Sequence, residues 1–218
     1  MRFLQSRPRC ADAFLPLCLL VLFCGSSLAL LVSCSGRGEV KPDGPPYSRL
    51  IEKWTSEGKV YRGMESRLVV HATYRGWGLR EAYVREYEKR YRLDSYQREK
   101  LLAGEKARYE EGEEFFLAVY TPEGRWNDLD RSDSVWKLYL KNDRDERVSP
   151  VEVRRVDEES PLIREFYPDL DPWSYGYVVI FPKYSEKGEL PLINDETRSF
   201  TLIITGVLGQ TEITWRLK

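Results

Sequence analysis

Apolar and polar residues along this chain follow two different periods, and the change of period separates strands from a helical segment. In residues 66–74, Leu68, Val70, Ala72 and Tyr74 share one side while more polar residues occupy the other. This period of two is typical of a half-buried strand. Similar alternation or a continuous apolar run predicts six further strands, at 115–121, 135–141, 148–156, 175–183, 200–205 and 211–217.

The segment at about 79–112 has the period of a helix instead. Leu79, Tyr83, Tyr87 and Tyr91 recur at every fourth residue, which places them on one helical face. Asp94 or Ser95 can cap the start of a second helix, which is predicted to end near Gly112. We therefore expect a helical hairpin at this point of the chain.

Seven short strands separated by turn residues predict a mainly β fold, an Ig-like sandwich of two antiparallel sheets. The helical hairpin is expected as an insertion between the first strand and the second. The domain is predicted to cover residues 50–218, with residues 50–56 as a short helix or an irregular lead-in. This range contains no cysteine, so the disulfide of antibody domains is not expected.

The amino-terminal 33 residues have a different composition, which predicts a targeting segment rather than a part of the folded domain. Arg2, Arg7 and Arg9 precede a stretch, residues 13–33, that has no charged side chain. This layout is typical of the helix of a secretory signal peptide, which is left out of fold reasoning.

The tetrapeptide Leu31-Val32-Ser33-Cys34 ends this stretch and resembles the lipobox of bacterial lipoprotein precursors. The resemblance implies cleavage before Cys34, acylation of that cysteine with chains such as palmitate, and attachment of the mature protein to a membrane. Two or three acyl chains anchor firmly, because each buried CH₂ contributes about 0.8 kcal/mol. Inner-membrane lipoproteins of Gram-negative bacteria commonly have aspartate where this chain has Ser35. In such a host, Ser35 implies the outer membrane, facing the periplasm.

Two other fates of the amino-terminal segment stay open. Small residues such as Ser27 and Ala29 allow ordinary cleavage, which would release a secreted ligand-binding domain. The other fate is an uncleaved anchor, since 18 or more uncharged apolar residues can span a bilayer, although Pro16 and Gly25 interrupt the run. The arginines keep the amino terminus cytoplasmic in each case, so the domain faces outward.

Residues 34–49 are predicted to be a flexible tether between the membrane and the domain. Glycine and proline at high density do not form a packed element. The residues concerned are Gly36, Gly38, Pro42, Gly44, Pro45 and Pro46. Such a tether would hold the domain a short distance from the bilayer.

Charge and cysteine content limit the partners of the mature chain. Removal of residues 1–33 takes away three arginines and one aspartate from a chain of net charge −1, which leaves 185 residues at net −3. A mildly acidic surface argues against nucleic acid, which normally meets a basic face. All four cysteines lie at or before Cys34, so the domain must be stable without an internal disulfide.

Residues that could carry catalysis or hold a metal are sparse. His71 is the one histidine of the chain and lies in a predicted strand, so we interpret it as a partly exposed structural residue. One histidine and one lipidated cysteine cannot supply a zinc site, and the sequence has no G-x-S-x-G motif. The acidic run at 128–133 lacks the glycine and the final acid of a calcium loop. We expect no metal and no cofactor.

Two carboxylate pairs keep an enzyme open as the alternative. These pairs are Glu158 with Glu159, and Asp169 with Asp171. Glycoside hydrolysis needs two carboxyl groups about 5–10 Å apart across a cleft. An envelope enzyme that acts on glycans would use such a pair, and sequence proximity alone does not place two carboxyl groups across a cleft.

Aromatic residues are the stronger candidates for a binding surface. The candidates are Tyr83, Tyr87, Tyr91, Tyr167, Trp173 and Tyr175. The last three lie in a loop that contains prolines, where they form a rigid platform for sugar or peptide, or else Trp173 and Tyr175 plug the end of the sandwich. The first three share a helical face that either packs the hairpin against a neighbour or makes a protein contact.

The carboxy-terminal strands resemble the Ig-like modules of bacterial lipoproteins, on architecture alone. Together with the lipobox, this resemblance implies a lipid-anchored cell-envelope protein with a non-catalytic binding or scaffolding role. The expected partners are the membrane, through acylated Cys34, and an envelope protein or glycan. No nucleic-acid partner is expected.

Overall fold

A computed structural model describes residues 44–157, 160–186 and 188–217. The predicted signal helix, Cys34, most of the predicted tether, and the pair Glu158 and Glu159 lie outside the described residues. In chain order, the helices are α1 (Tyr47–Trp54), α2 (Trp77–Tyr91), α3 (Ser95–Glu111) and α4 (Pro161–Phe166). The strands are β1 (Thr55–Arg62), β2 (Glu65–Tyr74), β3 (Gly112–Tyr120), β4 (Trp136–Asn142), β5 (Arg147–Val148), β6 (Glu152–Arg155), β7 (Tyr175–Pro182), β8 (Ser199–Gly206) and β9 (Gly209–Arg216).

The strands form two antiparallel sheets. One sheet has five strands in the order β1-β2-β3-β7-β6, and the other has four in the order β5-β4-β8-β9. This arrangement confirms the prediction of a mainly β, two-sheet antiparallel sandwich. The helical hairpin is confirmed as α2 and α3, and it lies between β2 and β3 in the chain.

Helix α3 begins at a capping box, which explains its sharp start. The Asp94 carboxylate accepts a hydrogen bond from the Gln97 backbone N–H at 2.8 Å. In return, the Gln97 side-chain oxygen accepts from the Asp94 backbone N–H at 3.1 Å. Two helix-end donors are thereby satisfied by one short sequence motif.

The described residues form nine strands where the sequence predicts seven. Strand β1 was not predicted, because Gly58 and Val60 are its two buried positions and give too short an alternation. The predicted strand at 148–156 is wrong as one element: Val148 belongs to β5 of the four-stranded sheet, whereas Glu152–Arg155 is β6 of the five-stranded sheet. The chain therefore crosses between the sheets at this point.

The main core lies between the two sheets. Strand β3 contributes Phe115, Leu117 and Val119 to it, and Tyr177 and Val179 of β7 pack beside them. The four-stranded sheet faces them with its own buried side chains. These are Trp136, Leu138, Leu140, Phe200, Leu202, Ile204, Ile213 and Trp215.

A second core lies on the other face of the five-stranded sheet, under the helices. Phe116 and Ala118 alternate with the inward residues of β3 and are buried against Tyr47, Leu79 and Phe166. Strand β3 is therefore buried on both faces, which explains its nearly continuous apolar sequence. The hairpin is one part of a helical layer that covers the sheet, together with α1 and α4.

The domain starts earlier than the predicted boundary at residue 50. Helix α1 begins at Tyr47, inside the range 34–49 that the sequence assigns to the tether. Tyr47 and Ile51 are buried in the second core, and the Tyr47 hydroxyl donates a 2.7 Å hydrogen bond to the Phe166 carbonyl. This packing makes the last residues of the predicted tether a part of the fold.

Strand β1 approaches β9 of the opposite sheet so closely that it needs a glycine. A Cβ atom at Gly58 would lie 2.8 Å from the Ile213 side chain and 3.0 Å from the Thr211 hydroxyl oxygen. Ile213 is itself buried in the main core and has little room to move. The glycine therefore allows the two sheets to meet at this edge.

We expect Gly58→Ala to lower the free energy of unfolding by about 1–3 kcal/mol, because the added methyl group overpacks the contact between β1 and β9. Urea unfolding followed by tryptophan fluorescence measures this change. Gly124→Ala is the matched control, since no described atom lies within 4 Å of a Cβ at that position. Equal midpoints for Gly58→Ala and Gly124→Ala would contradict the proposed contact.

Candidate functional site

Four charged side chains, three of them buried and Arg75 nearly so, lie where the helical layer meets the five-stranded sheet. Arg75 follows β2, Arg80 lies in the first turn of α2, Glu105 lies in α3, and Glu114 lies near the start of β3. The exposed fraction is 0% for Arg80 and 2% for Glu105. We call this group the charge network.

Charge-assisted hydrogen bonds hold the charge network together. Arg80 donates to Glu105 at 2.6 Å and to Glu114 at 2.9 Å. Arg75 donates to the same two carboxylates, at 2.9 Å and 2.6 Å respectively. The Arg80 Nε also donates to the Arg75 carbonyl at 2.8 Å. Two cations thus face two anions, which is the condition that makes burial of charge tolerable.

The arginines control the charge state of Glu114. Burial alone would raise the pKa of the Glu114 carboxyl, but Arg75 and Arg80 together hold that pKa below its ordinary value. Glu114 is therefore an anion at neutral pH, in a place where an unpaired carboxylate would be strongly unfavourable.

Glu113 has a separate set of partners on the opposite face of β3. The Tyr74 hydroxyl donates to the Glu113 carboxylate at 2.7 Å, and the Lys183 ammonium lies 2.7 Å from the other carboxylate oxygen. Burial raises the pKa of Tyr74 well above its ordinary value, so this hydroxyl stays a donor. Successive glutamates thus fix the register of β3 from both of its faces.

A groove lies between α2, α3 and α4, next to the charge network. Its volume is about 440 Å³. The lining residues are Tyr83, Tyr87, Leu93, Gln97, Lys100, Leu101, Gly104, Glu105, Arg108 and Leu162. We call it the helical groove.

The helical groove continues inward to a smaller cavity of about 140 Å³. Tyr83, Glu105, Arg108 and Leu162 line both spaces. The inner cavity reaches the outer face of the five-stranded sheet. It is lined further by Arg75, Phe116, Arg154, Val156, Ile163, Phe166, Tyr167 and Val178.

Gly104 is the least expected residue of the helical groove. It lies in the middle of the 17-residue helix α3, where glycine is less favourable than alanine by about 0.5–1 kcal/mol. Apart from its own helix, no described atom lies within 4 Å of a Cβ at this position. Packing therefore does not require a glycine here, whereas any larger side chain would project into the groove.

Three of the aromatic candidates meet at this site. Tyr83 and Tyr87 line the helical groove with ring centroids 5.7 Å apart, and Tyr167 lines the inner cavity while it stacks on Phe116 at 3.7 Å. Burial raises the pKa of Tyr83 to about 12, so its hydroxyl is protonated at neutral pH. Tyr91 extends the row, since it stacks on Tyr87 at 4.3 Å and is half exposed.

The other two aromatic candidates are not part of the groove. Trp173 is 77% exposed in its loop, and its backbone N–H donates to Asp171 at 2.9 Å. The interpretation that Trp173 plugs the end of the sandwich is therefore wrong. Tyr175 does pack against the main core, and the Arg155 guanidinium lies 3.4 Å from its ring centroid.

One of the carboxylate candidates lies at a second cleft, of about 490 Å³. Asp169 lines it, but the Asp171 carboxylate accepts from the Trp173 backbone instead. Two more acids of this cleft, Glu86 and Glu165, both accept hydrogen bonds from Arg90.

His71 and the acidic run at 128–133 form no catalytic or metal centre that the geometry supports. His71 Nδ1 lies 3.9 Å from Asp169, and Nε2 lies 3.7 Å from Glu57. In the acidic run, the Asp128 carboxylate accepts from the Ser134 hydroxyl at 2.8 Å, and Asp133 pairs with Arg131. Within the described residues, no group of three or more His, Cys, Asp or Glu side chains is arranged to hold a metal ion.

Comparison with known proteins assigns no family to the chain. No family model, curated protein or solved structure matches it. None of the helices in residues 44–157, 160–186 and 188–217 combines the length and the apolar character needed to cross a membrane.

We expect Glu114→Gln to lower the free energy of unfolding by about 3–5 kcal/mol at neutral pH, because it leaves Arg75 and Arg80 with one buried anion. The pKa of Glu114 in the folded protein lies below the ordinary 4.5. Its stabilisation is therefore complete above about pH 4.5 and is lost as the pH falls through the folded-state pKa.

Urea unfolding of the wild type and of Glu114→Gln, measured between neutral pH and about pH 3, tests this pH dependence. The difference in stability between the wild type and Glu114→Gln should narrow in acid. Glu110→Gln is the control, since its exposed pair with Lys106 spans 3.9 Å and contributes little. A difference that stays constant across the pH range would show that the charge of Glu114 is not what stabilises the fold.

Proposed function

We propose that this protein is a lipid-anchored lipoprotein of the cell envelope whose extracytoplasmic domain binds a small ligand without catalysis. The helical groove is the proposed binding site. In a Gram-negative host, the protein would face the periplasm from the outer membrane.

Gly104 is the observation that carries the binding role. A mid-helix glycine lowers the stability of α3, and the residues around it gain no contact from the missing side chain. Open space at Gly104 does keep the helical groove accessible. A site of a few hundred cubic ångströms, lined by aromatic residues with a few charged groups, has the usual character of a small-molecule site.

The amino-terminal sequence supports the membrane address. Cys34 follows an uncharged apolar stretch that three arginines precede. Residues 35–46 separate this cysteine from α1, and a chain of that length reaches at most roughly 40 Å. The domain would therefore stay close to the membrane surface, where it samples envelope ligands.

An envelope enzyme acting on glycans is the alternative, and it has less support. The second cleft contains several acids, but Arg90 bonds to both Glu86 and Glu165. Glycoside hydrolysis needs two carboxyl groups that act on the glycosidic bond, and here one arginine engages both of these acids.

We expect Cys34→Ala to abolish acylation and to move the protein out of the membrane fraction. Intact mass spectrometry of the detergent-extracted wild type should show a chain that begins at acylated Cys34. Cys24→Ala is the matched control, because it removes another cysteine of the same apolar segment and should leave acylation unchanged. An unmodified amino terminus elsewhere, identical in the wild type and Cys34→Ala, would contradict the lipoprotein assignment.

A further inference from the structure

The helical groove has apolar side chains mainly near one end, beside Gln97 and Lys100, and the pair Glu105 and Arg108 at the other. Helices α2 and α3 are antiparallel neighbours in the hairpin, so Tyr87 lies beside Leu93 and Leu101 at the end near the turn. Tyr83, Glu105 and Arg108 lie at the opposite end, where the groove opens to the inner cavity. A ligand that fits both ends has an apolar part and a polar head.

The charged lining of the helical groove and the inner cavity is positive, although the chain as a whole is slightly acidic. The cations that line the groove and the inner cavity are Arg75, Lys100, Arg108 and Arg154, and the lining anion is Glu105. Their pairing partners outside the lining are Arg80, Glu114 and Glu152. Together these groups carry a net charge of +2, whereas the full chain carries −1. This local excess of cations is complementary to an anion.

Arg108 is the cation best placed to hold that anion. Its side chain is 58% exposed, yet its Nη1 donates to Glu105 at 3.0 Å. Glu105 is itself fixed by Arg75 and Arg80 of the charge network. Since a guanidinium has five donors and Glu105 is the one acceptor of Arg108 among the described residues, the other donors are left for a ligand.

We propose that the helical groove binds a small amphipathic anion. Its apolar part lies between Tyr87, Leu93 and Leu101, and its carboxylate or phosphate bonds to Arg108 at the mouth of the inner cavity. This assignment rests on the binding role proposed above and names the chemical class of the ligand.

The test uses the full-length chain in phosphatidylcholine nanodiscs, with octanoate, octyl phosphate and octanol as probes and empty discs as the blank. Ligand-detected NMR gives the affinity for each probe. We expect both anions to bind, and Arg108→Gln to weaken them about 10-fold with little change for octanol. Arg108→Lys keeps the charge and should retain most of the affinity. The tighter of the two anions identifies the head group as carboxylate or phosphate.

Substitutions at two helical glycines test whether the probes bind in the helical groove. Gly104→Leu fills the groove and should abolish specific binding of both anions. Gly78→Leu adds the same side chain to α2 at a position that is also open but lies outside the groove lining, so it should leave binding unchanged.

Two results would overturn the assignment. Equal affinities for octanol and octanoate that do not respond to Arg108→Gln would exclude an anion-specific site while leaving the groove as a binding site. Failure of all three probes to bind, or binding that survives Gly104→Leu, would exclude the groove itself. The Cys34→Ala experiment does not depend on either result, so it tests the proposed lipid anchoring separately.

Discussion

The charge network is the interaction on which the arrangement of this protein depends. Each of Arg75, Arg80, Glu105 and Glu114 comes from a different part of the chain, so the network joins two strands of the sheet to both helices of the hairpin. The desolvation of four charges offsets much of their attraction, and loss of any one leaves its two partners with one counter-ion fewer. The main effect of the network is therefore to fix one position of the helical layer on the sheet. Its contribution to net stability is smaller.

The charge network also sets the geometry of the candidate site. Glu105 belongs to the charge network and also lines the helical groove, where it orients Arg108. The binding surface is thus built on a rigid buried support and not on a loop. Gly104, one residue away on the same helix, leaves the space beside that support open. Fold and site consequently share the residues that set their geometry.

Short-range patterns in the sequence were sufficient to predict individual strands and helices. The alternation around Val70 and the four-residue spacing around Tyr83 predicted β2 and α2, because strands and helices repeat over a few residues. The charge network could not be predicted: its four ion pairs join residues 25 to 39 positions apart, in a chain with 34 basic and 35 acidic side chains. The signal that could have indicated it is Glu113-Glu114 at the start of an otherwise apolar strand. The exposure of Trp173 depends on the path of its loop, which residue type alone does not determine.

Hydrogen–deuterium exchange of Glu105→Gln beside the wild type tests the role of the charge network most directly. This variant keeps the shape of the side chain and removes the charge that both arginines share. If the network holds the helical layer on the sheet, the amides of α2 and α3 lose protection while those of β8 and β9 keep it. Protection that falls equally in helices and sheets, or that does not change at all, would contradict this account.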